Sequence, residues 1–320
     1  MNYQWYPGHM TKAMRMMQED IKLIDLIIEL VDARIPLSSR NPDIDELGKN
    51  KSRIVLLNKS DLADARYNSR WAEYFRKKGF FVLEINAKTG AGMKAIYGLV
   101  QEACREKLER DRRRGILNRP VRAMVVGIPN VGKSTFINSF AKKACTKTGN
   151  KPGVTKGKQW IRLDKSLELL DTPGILWPKF EDQNVGMKLA FIGSMNDEII
   201  IMQEMALDLI AVIAREYPGA FSDRYGIKAE VTEGTAAAEV TEDTEVTAAA
   251  EGTDTAEEKA AAWGRAALKP SLQILTEIAK VRKCYGKGEE IDYDKAASLF
   301  VDDFRSGRLG RITLEFPTEE

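Results

Sequence analysis

The chain has 320 residues, 43% hydrophobic and 30% charged, enough apolar content for two domains of ordinary size and too much for a disordered protein. Its net charge of +2 conceals an imbalance: residues 229–258 hold ten of the 47 acidic residues and none of the 49 basic ones, so the remainder carries +12, a basic body suited to a polyanionic partner. Cys104, Cys145 and Cys284 stand far apart and His9 is the single histidine, which excludes a zinc cluster and points to a reducing compartment.

The N-terminal MNYQWYPGHMTK lacks the basic start, apolar middle and small-residue cleavage site of a secretory signal, so a cytoplasmic protein is expected. Residues 11–23 have the composition of a helix. Leu26 to Val31 is an apolar run closing on Asp32, as a buried strand would, and the pattern recurs at Arg53–Leu57, Phe80–Ile85, Val121–Val126 and Leu167–Leu170, with helical stretches between. Strands alternating with helices imply a doubly wound, mostly parallel sheet in an α/β domain. Met93 to Arg114 reads as one long helix. No apolar run reaches the length of a membrane span, since Ile199 to Ala214 is interrupted by Gln203, Glu204 and Asp208.

Beyond about residue 178 the periodic segments (187–192, 197–216, 272–281, 293–305) are helical. The expected division is therefore a domain over 1–178 and a smaller all-helical domain over 179–320. Residues 231–262, rich in Thr, Ala and Glu, carry too little apolar surface to order themselves. They read as a disordered insert, with an acidic Ala-rich helix as the competing reading.

Directly after the strand at 121–126 comes Gly127-Ile128-Pro129-Asn130-Val131-Gly132-Lys133-Ser134, the G-x-x-x-x-G-K-[ST] pattern between a strand and a helix. Such a loop wraps phosphates with the backbone N–H groups of Asn130 to Thr135, reaches the β/γ oxygens with Lys133 and holds Mg²⁺ on the Ser134 hydroxyl. Asn58-Lys59-Ser60-Asp61 fits N-K-x-D, whose Asp accepts from both the ring N–H and the amine of guanine, a pair that adenine does not offer. Asn86-Ala87-Lys88 would supply a backbone contact to the guanine oxygen. Asp171-Thr172-Pro173-Gly174 fits D-x-x-G, with Asp171 reaching Mg²⁺ through water and the Gly174 N–H facing the γ-phosphate. Thr155, in Pro152-Gly153-Val154-Thr155, is the candidate switch threonine for Mg²⁺ and γ-phosphate. The ligands expected are GTP or GDP with Mg²⁺, and an ATPase is the weaker alternative.

The order is unusual: the base motifs at Asn58 and Asn86 precede the phosphate motif at Gly127, as in a circularly permuted GTPase, and the loop at Asp171–Gly174 leads directly into the C-terminal domain. A site built from strand ends tolerates this, because it depends on spatial neighbours.

Trp5-Tyr6-Pro7-Gly8-His9-Met10, Asp32-Ala33-Arg34, the three nucleotide motifs, Pro152–Thr155 and Asp303-Phe304-Arg305-Ser306-Gly307-Arg308-Leu309-Gly310 together resemble the bacterial ribosome biogenesis GTPase A family over nearly the whole chain. The resemblance implies a cytoplasmic GTP hydrolase acting late in assembly of the large ribosomal subunit, slow alone and stimulated by the particle. It also implies a helical C-terminal domain contacting rRNA and a monomeric state. Ile175, where many GTPases place a water-orienting Gln, cannot hydrogen-bond a water; the family assigns that role to the histidine of the P-G-H-M motif, here His9, against the alternative that His9 packs or binds RNA. Catalysis is thus expected from His9, Lys133 and Thr155. Asn130 is the candidate ligand for a K⁺ activator, against a role in holding the turn.

Arg105 to Arg122 holds eight basic residues against three acids, an RNA-facing surface or a solvated helix face. Lys280, Arg282, Lys283 and Lys287, near Tyr285 and Tyr293, favour RNA, and Arg305 and Arg308 are weaker candidates. Two functions stay open: an enzyme whose hydrolysis releases it from the subunit, and a GTP-gated RNA-binding scaffold in which hydrolysis is incidental.

Overall fold

A computed structural model describes residues 8–116, 119–142, 159–177, 180, 182–228 and 270–317, apart from the His9 side chain. The aromatic residues before Gly8, Cys145, the segment containing Thr155 and the acidic insert lie outside the described residues.

Six strands form one sheet in the order β3-β2-β1-β4-β6-β5: β1 (Leu26–Asp32), β2 (Ser52–Asn58), β3 (Phe81–Glu84), β4 (Val121–Val126), β5 (Gln159–Arg162) and β6 (Leu167–Asp171). All neighbours are parallel except β5, which runs antiparallel to β6. Every residue of β1 is buried, as in a strand covered on both faces. The strand bearing the phosphate motif is fourth in sequence yet central in the sheet, between β1 and β6, so the base-reading half and the phosphate-reading half join side by side as the permuted order requires. β5 was not expected: only Ile161 of its four residues is buried, and such an edge segment has no apolar run to announce it.

The helices of this unit are α1 (Gly8–Asp20), α2 (Asp43–Leu47), α3 (Ala65–Lys77), α4 (Ile96–Ala103), α5 (Arg105–Arg113), α6 (Lys133–Ala141) and α7 (Gln183–Phe191). Asp64 caps α3 by accepting from the Arg66 N–H. Trp71, Ala72 and Phe75 then bury one face of α3 in a cluster with Val31, Val55, Leu57 and Val82, each large side chain contributing about 1.5–3 kcal/mol. The single long helix expected over 93–114 is instead a 3₁₀ turn followed by α4 and α5, divided at buried Cys104. α4 buries Ile96, Val100 and Ala103, whereas the charged α5 buries only Asp111, so the two halves answer to different surroundings.

The chain forms two compact units, residues 1–200 with 311–320 and residues 201–310. This moves the boundary expected after residue 178: α7 belongs with the sheet, and so does the C-terminal tail, whose backbone bonds to Leu62 and Arg34. The described part of the second unit is helical, with α8 (Met202–Glu216), α9 (Gly219–Tyr225), α10 (residues 270–281) and α11 (Tyr293–Arg305). Its core stacks Phe221 of α9 on Phe300 of α11, rings 6.0 Å apart, beside the buried stripe Met205, Leu209, Ile210 and Ile213 of α8. Among the described residues no helix is long and apolar enough to cross a membrane.

Candidate functional site

The C-terminal ends of the parallel strands carry the candidate residues, and ligands of open α/β sheets bind outside those ends. β1 ends on Asp32, β2 on Asn58 and β6 on Asp171, while β4 leads into Gly127 and β3 into Asn86. Asp32 lies opposite Asn58 in the ladder, and Val125 opposite Asp171. The Thr172 hydroxyl donates to Val125 O at 2.7 Å, fixing the start of D-x-x-G against the phosphate strand.

Asn58 joins two loops. Its side-chain amide donates to Val131 O at 2.8 Å and its oxygen accepts the Ala87 N–H at 3.0 Å, so the phosphate and base loops share one strut. Asn86 closes the second loop by accepting from the Lys88 and Thr89 N–H groups. Gly132 has φ +102° and an added Cβ there would collide with the Asn58 amide; glycine is required by both the left-handed backbone and the close approach. Within Asn86-Ala87-Lys88, the segment expected to give guanine a backbone contact, the Ala87 N–H donates to the Asn58 side chain in this structure. Asp61, the base-reading carboxylate of the motif, is exposed at the loop tip.

Lys59 ties the same loops by charge. Its ammonium donates to Asp32 Oδ2 at 2.8 Å and to Asn130 O at 2.9 Å. Lys59 and Asn130 both have φ +58°, conformations unusual for residues with side chains and concentrated at functional sites. Asp32 also receives Arg34 Nε at 2.9 Å and Nη2 at 2.8 Å. Although full burial of Asp32 opposes ionisation, these two cations hold its carboxyl well below the usual carboxylate range. The Asp-Ala-Arg motif therefore anchors the base loop, a role not evident from its spacing, since it depends on a cation contributed by the next strand. The Asn130 side-chain amide donates to Gly193 O at 2.5 Å, and Ser194 donates to Pro129 O at 2.8 Å; the segment after α7 braces the phosphate loop, which no sequence motif signalled.

Lys133 starts α6 and is buried, with its ammonium donating to Gly127 O at 2.9 Å and Ile128 O at 2.8 Å. Burial draws its pKa down to about 8, opposed by the charge of Asp171. Burial pushes Asp171 up to about 6, opposed by Lys133. Among the described residues, both Asp171 carboxylate oxygens are buried without a side-chain hydrogen-bond partner. An orphaned buried carboxylate fits a site that receives a hydrated cation, because the group otherwise stays desolvated and unpaired. Ser134 and Thr135 follow in the first turn of α6, both partly buried. A Cβ at Gly174 would stand 2.7 Å from Lys133 Nζ and 2.8 Å from Pro129 N, so D-x-x-G closes onto the phosphate loop at a place that admits only hydrogen.

Ile175 and Leu176 are buried. The Leu176 N–H donates to the Met10 sulfur at 3.4 Å, which brings the backbone of the N-terminal Gly8-His9-Met10 beside the residues after D-x-x-G. The His9 side chain and Thr155 lie outside the described residues, so their expected roles are not carried by this geometry.

The family model described as "50S ribosome-binding GTPase" matches residues 122–243, beginning in β4 and leaving the base-reading strands outside, as a permuted order requires. The chain is 44% identical to ribosome biogenesis GTPase A of Bacillus cereus over 99% of its length and 94% of that protein. It is 30% identical to mitochondrial ribosome-associated GTPase 1 of Bos taurus, covering 98% of the chain and 88% of the relative. The solved structure of GNP-bound YlqF from T. maritima matches with a TM-score of 0.61 at 24% identity, over 97% of this chain and 100% of the other, which supports the fold.

Proposed function

Because this chain belongs to the ribosome biogenesis GTPase A family, we propose that it hydrolyses GTP late in assembly of the large ribosomal subunit, binding the immature particle and its rRNA in the GTP state and leaving on hydrolysis. Membership of the family carries the ribosomal part of the reading, and the single amide of Asn58 holding the phosphate loop and the base loop together carries the nucleotide-binding part. It acts as a monomer in the cytoplasm.

Asp61 accepts from guanine and selects GTP over ATP, with the Asn86-Ala87-Lys88 loop closing over the base. The phosphate loop from Asn130 to Thr135 wraps the phosphates, and Lys133 turns its ammonium from Gly127 O and Ile128 O to the β/γ oxygens. Ser134, Thr155 and, through water, Asp171 are the residues that would hold Mg²⁺; the ion supplies charge against the phosphate oxygens as the bond breaks. The Gly174 N–H meets the γ-phosphate. The Asn130 side-chain oxygen is the group that would hold a K⁺ activator, which would supply positive charge where other GTPases use an arginine finger.

Ile175 offers no group to the attacking water, and His9 takes that role. The contact of neighbouring Met10 with Leu176 supports this, since it keeps the segment carrying His9 at the D-x-x-G loop. The test is GTP turnover with and without immature and mature large subunits, in KCl and in NaCl, for wild type and His9→Ala. The expected result is stimulation by particles that His9→Ala loses while GTP affinity stays intact. Equal stimulated turnover in both proteins refutes the role of His9, and absence of stimulation in the wild type favours the scaffold alternative.

A further inference from the structure

In the second unit Asp303 of α11 is 1% exposed, yet three arginines from three segments converge on it. Arg224 of α9 donates from Nε at 2.8 Å and from Nη2 at 3.1 Å, and Arg308, in the turn after α11, from Nη1 at 3.0 Å. Arg282, just beyond α10, places Nη2 at 3.6 Å. The Tyr225 hydroxyl donates to the same carboxylate at 3.0 Å, and the Arg282 guanidinium lies 5.2 Å over the Tyr225 ring.

The imbalance is the informative feature. One carboxylate faces three guanidiniums, and among the described residues none of the three makes another ion pair. Three guanidiniums offer about fifteen N–H donors, of which three bond Asp303. Arg282 Nε is buried without an acceptor among the described residues. Arg224, Arg282 and Arg308 are nonetheless 28%, 30% and 58% exposed, so their outer edges meet solvent. A single structural ion pair would need one arginine. Asp303 instead acts as a buried post that orients a surplus of planar forks, and that geometry matches the oxygens of a phosphodiester.

We propose that Arg224, Arg282 and Arg308, gathered on Asp303, form a preassembled site for RNA backbone phosphates, with Asp303 as its positioning residue. This rests on the reading of the chain as a factor that binds an RNA particle, and names where the second unit grips it. Arg282 belongs to the basic run at 280–287, so the site continues into Lys283 and Lys287, both exposed.

The experiment uses the full chain and two probes, deproteinised large-subunit rRNA and immature large-subunit particles, over a salt series. The Arg282→Ala/Arg308→Ala variant is expected to bind both at least tenfold more weakly, with the slope of log affinity against log salt shallower by roughly 1.5, about 0.7–0.9 for each phosphate no longer neutralised. GDP affinity and unstimulated turnover stay at wild-type values. Arg282→Lys/Arg308→Lys, which keeps charge but not the fork, falls between. Asp303→Asn separates a built site from general attraction: the site requires weaker binding, whereas net charge alone gives tighter binding. If Asp303→Asn fails to fold by circular dichroism, the arginine variants decide. Wild-type affinity and slope in the alanine variant overturn the site and leave particle binding intact; a wild type that binds neither probe overturns the reading beneath it.

Discussion

The side chain of Asn58 spans two loops, donating to Val131 O at 2.8 Å and accepting from the Ala87 N–H at 3.0 Å. Asn58, Val131 and Ala87 are all buried, so Asn58→Ala leaves a carbonyl and an N–H unpaired, at about 1–3 kcal/mol for the affected groups. GDP and GTP should both dissociate roughly 10–100-fold faster, and fluorescent-nucleotide stopped flow measures this. Asn58→Asp keeps an acceptor for Ala87 but presents oxygen to Val131 O, so it should not rescue. Unchanged dissociation in Asn58→Ala would mean that the two loops are held by other contacts.

Gly174→Ala tests the closure of D-x-x-G on the phosphate loop. The added methyl would sit 2.7 Å from Lys133 Nζ and 2.8 Å from Pro129 N. Lys133 can swing away, but the Pro129 backbone cannot yield cheaply. GTP turnover should fall at least tenfold while GDP affinity changes less, because the Gly174 N–H is assigned to the γ-phosphate. Equal losses for both nucleotides would instead indicate general distortion of the loop.

Much of this site was legible because its chemistry is local. Gly127–Ser134 and Asn58–Asp61 each lie within one loop after an apolar run, and Val121–Val126 was bounded as observed. What escaped depends on distant partners. Nothing around Asp32 says that Lys59 will reach it, nor around Gly193 that its carbonyl will hold Asn130. The tail was assigned to the helical domain because it follows helices, yet Leu314 and Glu315 bond across to Arg34, Leu37 and Ser38, contacts separated by more than 270 residues. α2 and α9 are too short to show a period, and the basic run near residue 282 concealed that Arg282 turns inward to Asp303.

Proton uptake should accompany nucleotide binding. Burial draws Lys133 down to about 8, whereas the unfolded chain keeps that proton to about 10.4, so the free protein loses stability as pH falls from that value through 8 and the buried ammonium charges. Asp171, pushed up to about 6, has the opposite sense: stability is lost as pH rises through 6 and its carboxylate ionises. A bound phosphate restores the Lys133 proton. GDP binding without Mg²⁺ at pH 8 should therefore take up about half a proton, and about a tenth at pH 7. Calorimetry in buffers of different ionisation enthalpy reads this directly, and an enthalpy independent of buffer at pH 8 would contradict it.

Glu315 should stabilise the nucleotide domain from the far end of the chain. Its carboxylate accepts the Leu37 N–H at 2.7 Å, the Ser38 N–H at 3.0 Å, the Ser38 hydroxyl and Lys188 Nζ at 3.2 Å. Just before it, the Ile312 N–H donates to Leu62 O at 3.0 Å and the Asp64 N–H to the Thr313 hydroxyl oxygen at 3.0 Å, on the residues that follow Asp61. Glu315→Ala strands two backbone N–H groups in a largely buried loop, a loss of about 2–4 kcal/mol, or roughly 5–10 °C in Tm for a unit of this size. Because the tail also secures the base loop, GDP should dissociate several-fold faster, and Thr313→Val should show the same kinetic effect with a smaller drop in Tm. A Tm loss without faster dissociation would make the tail a brace for the fold alone, whereas the paired effect makes it a support of the guanine site.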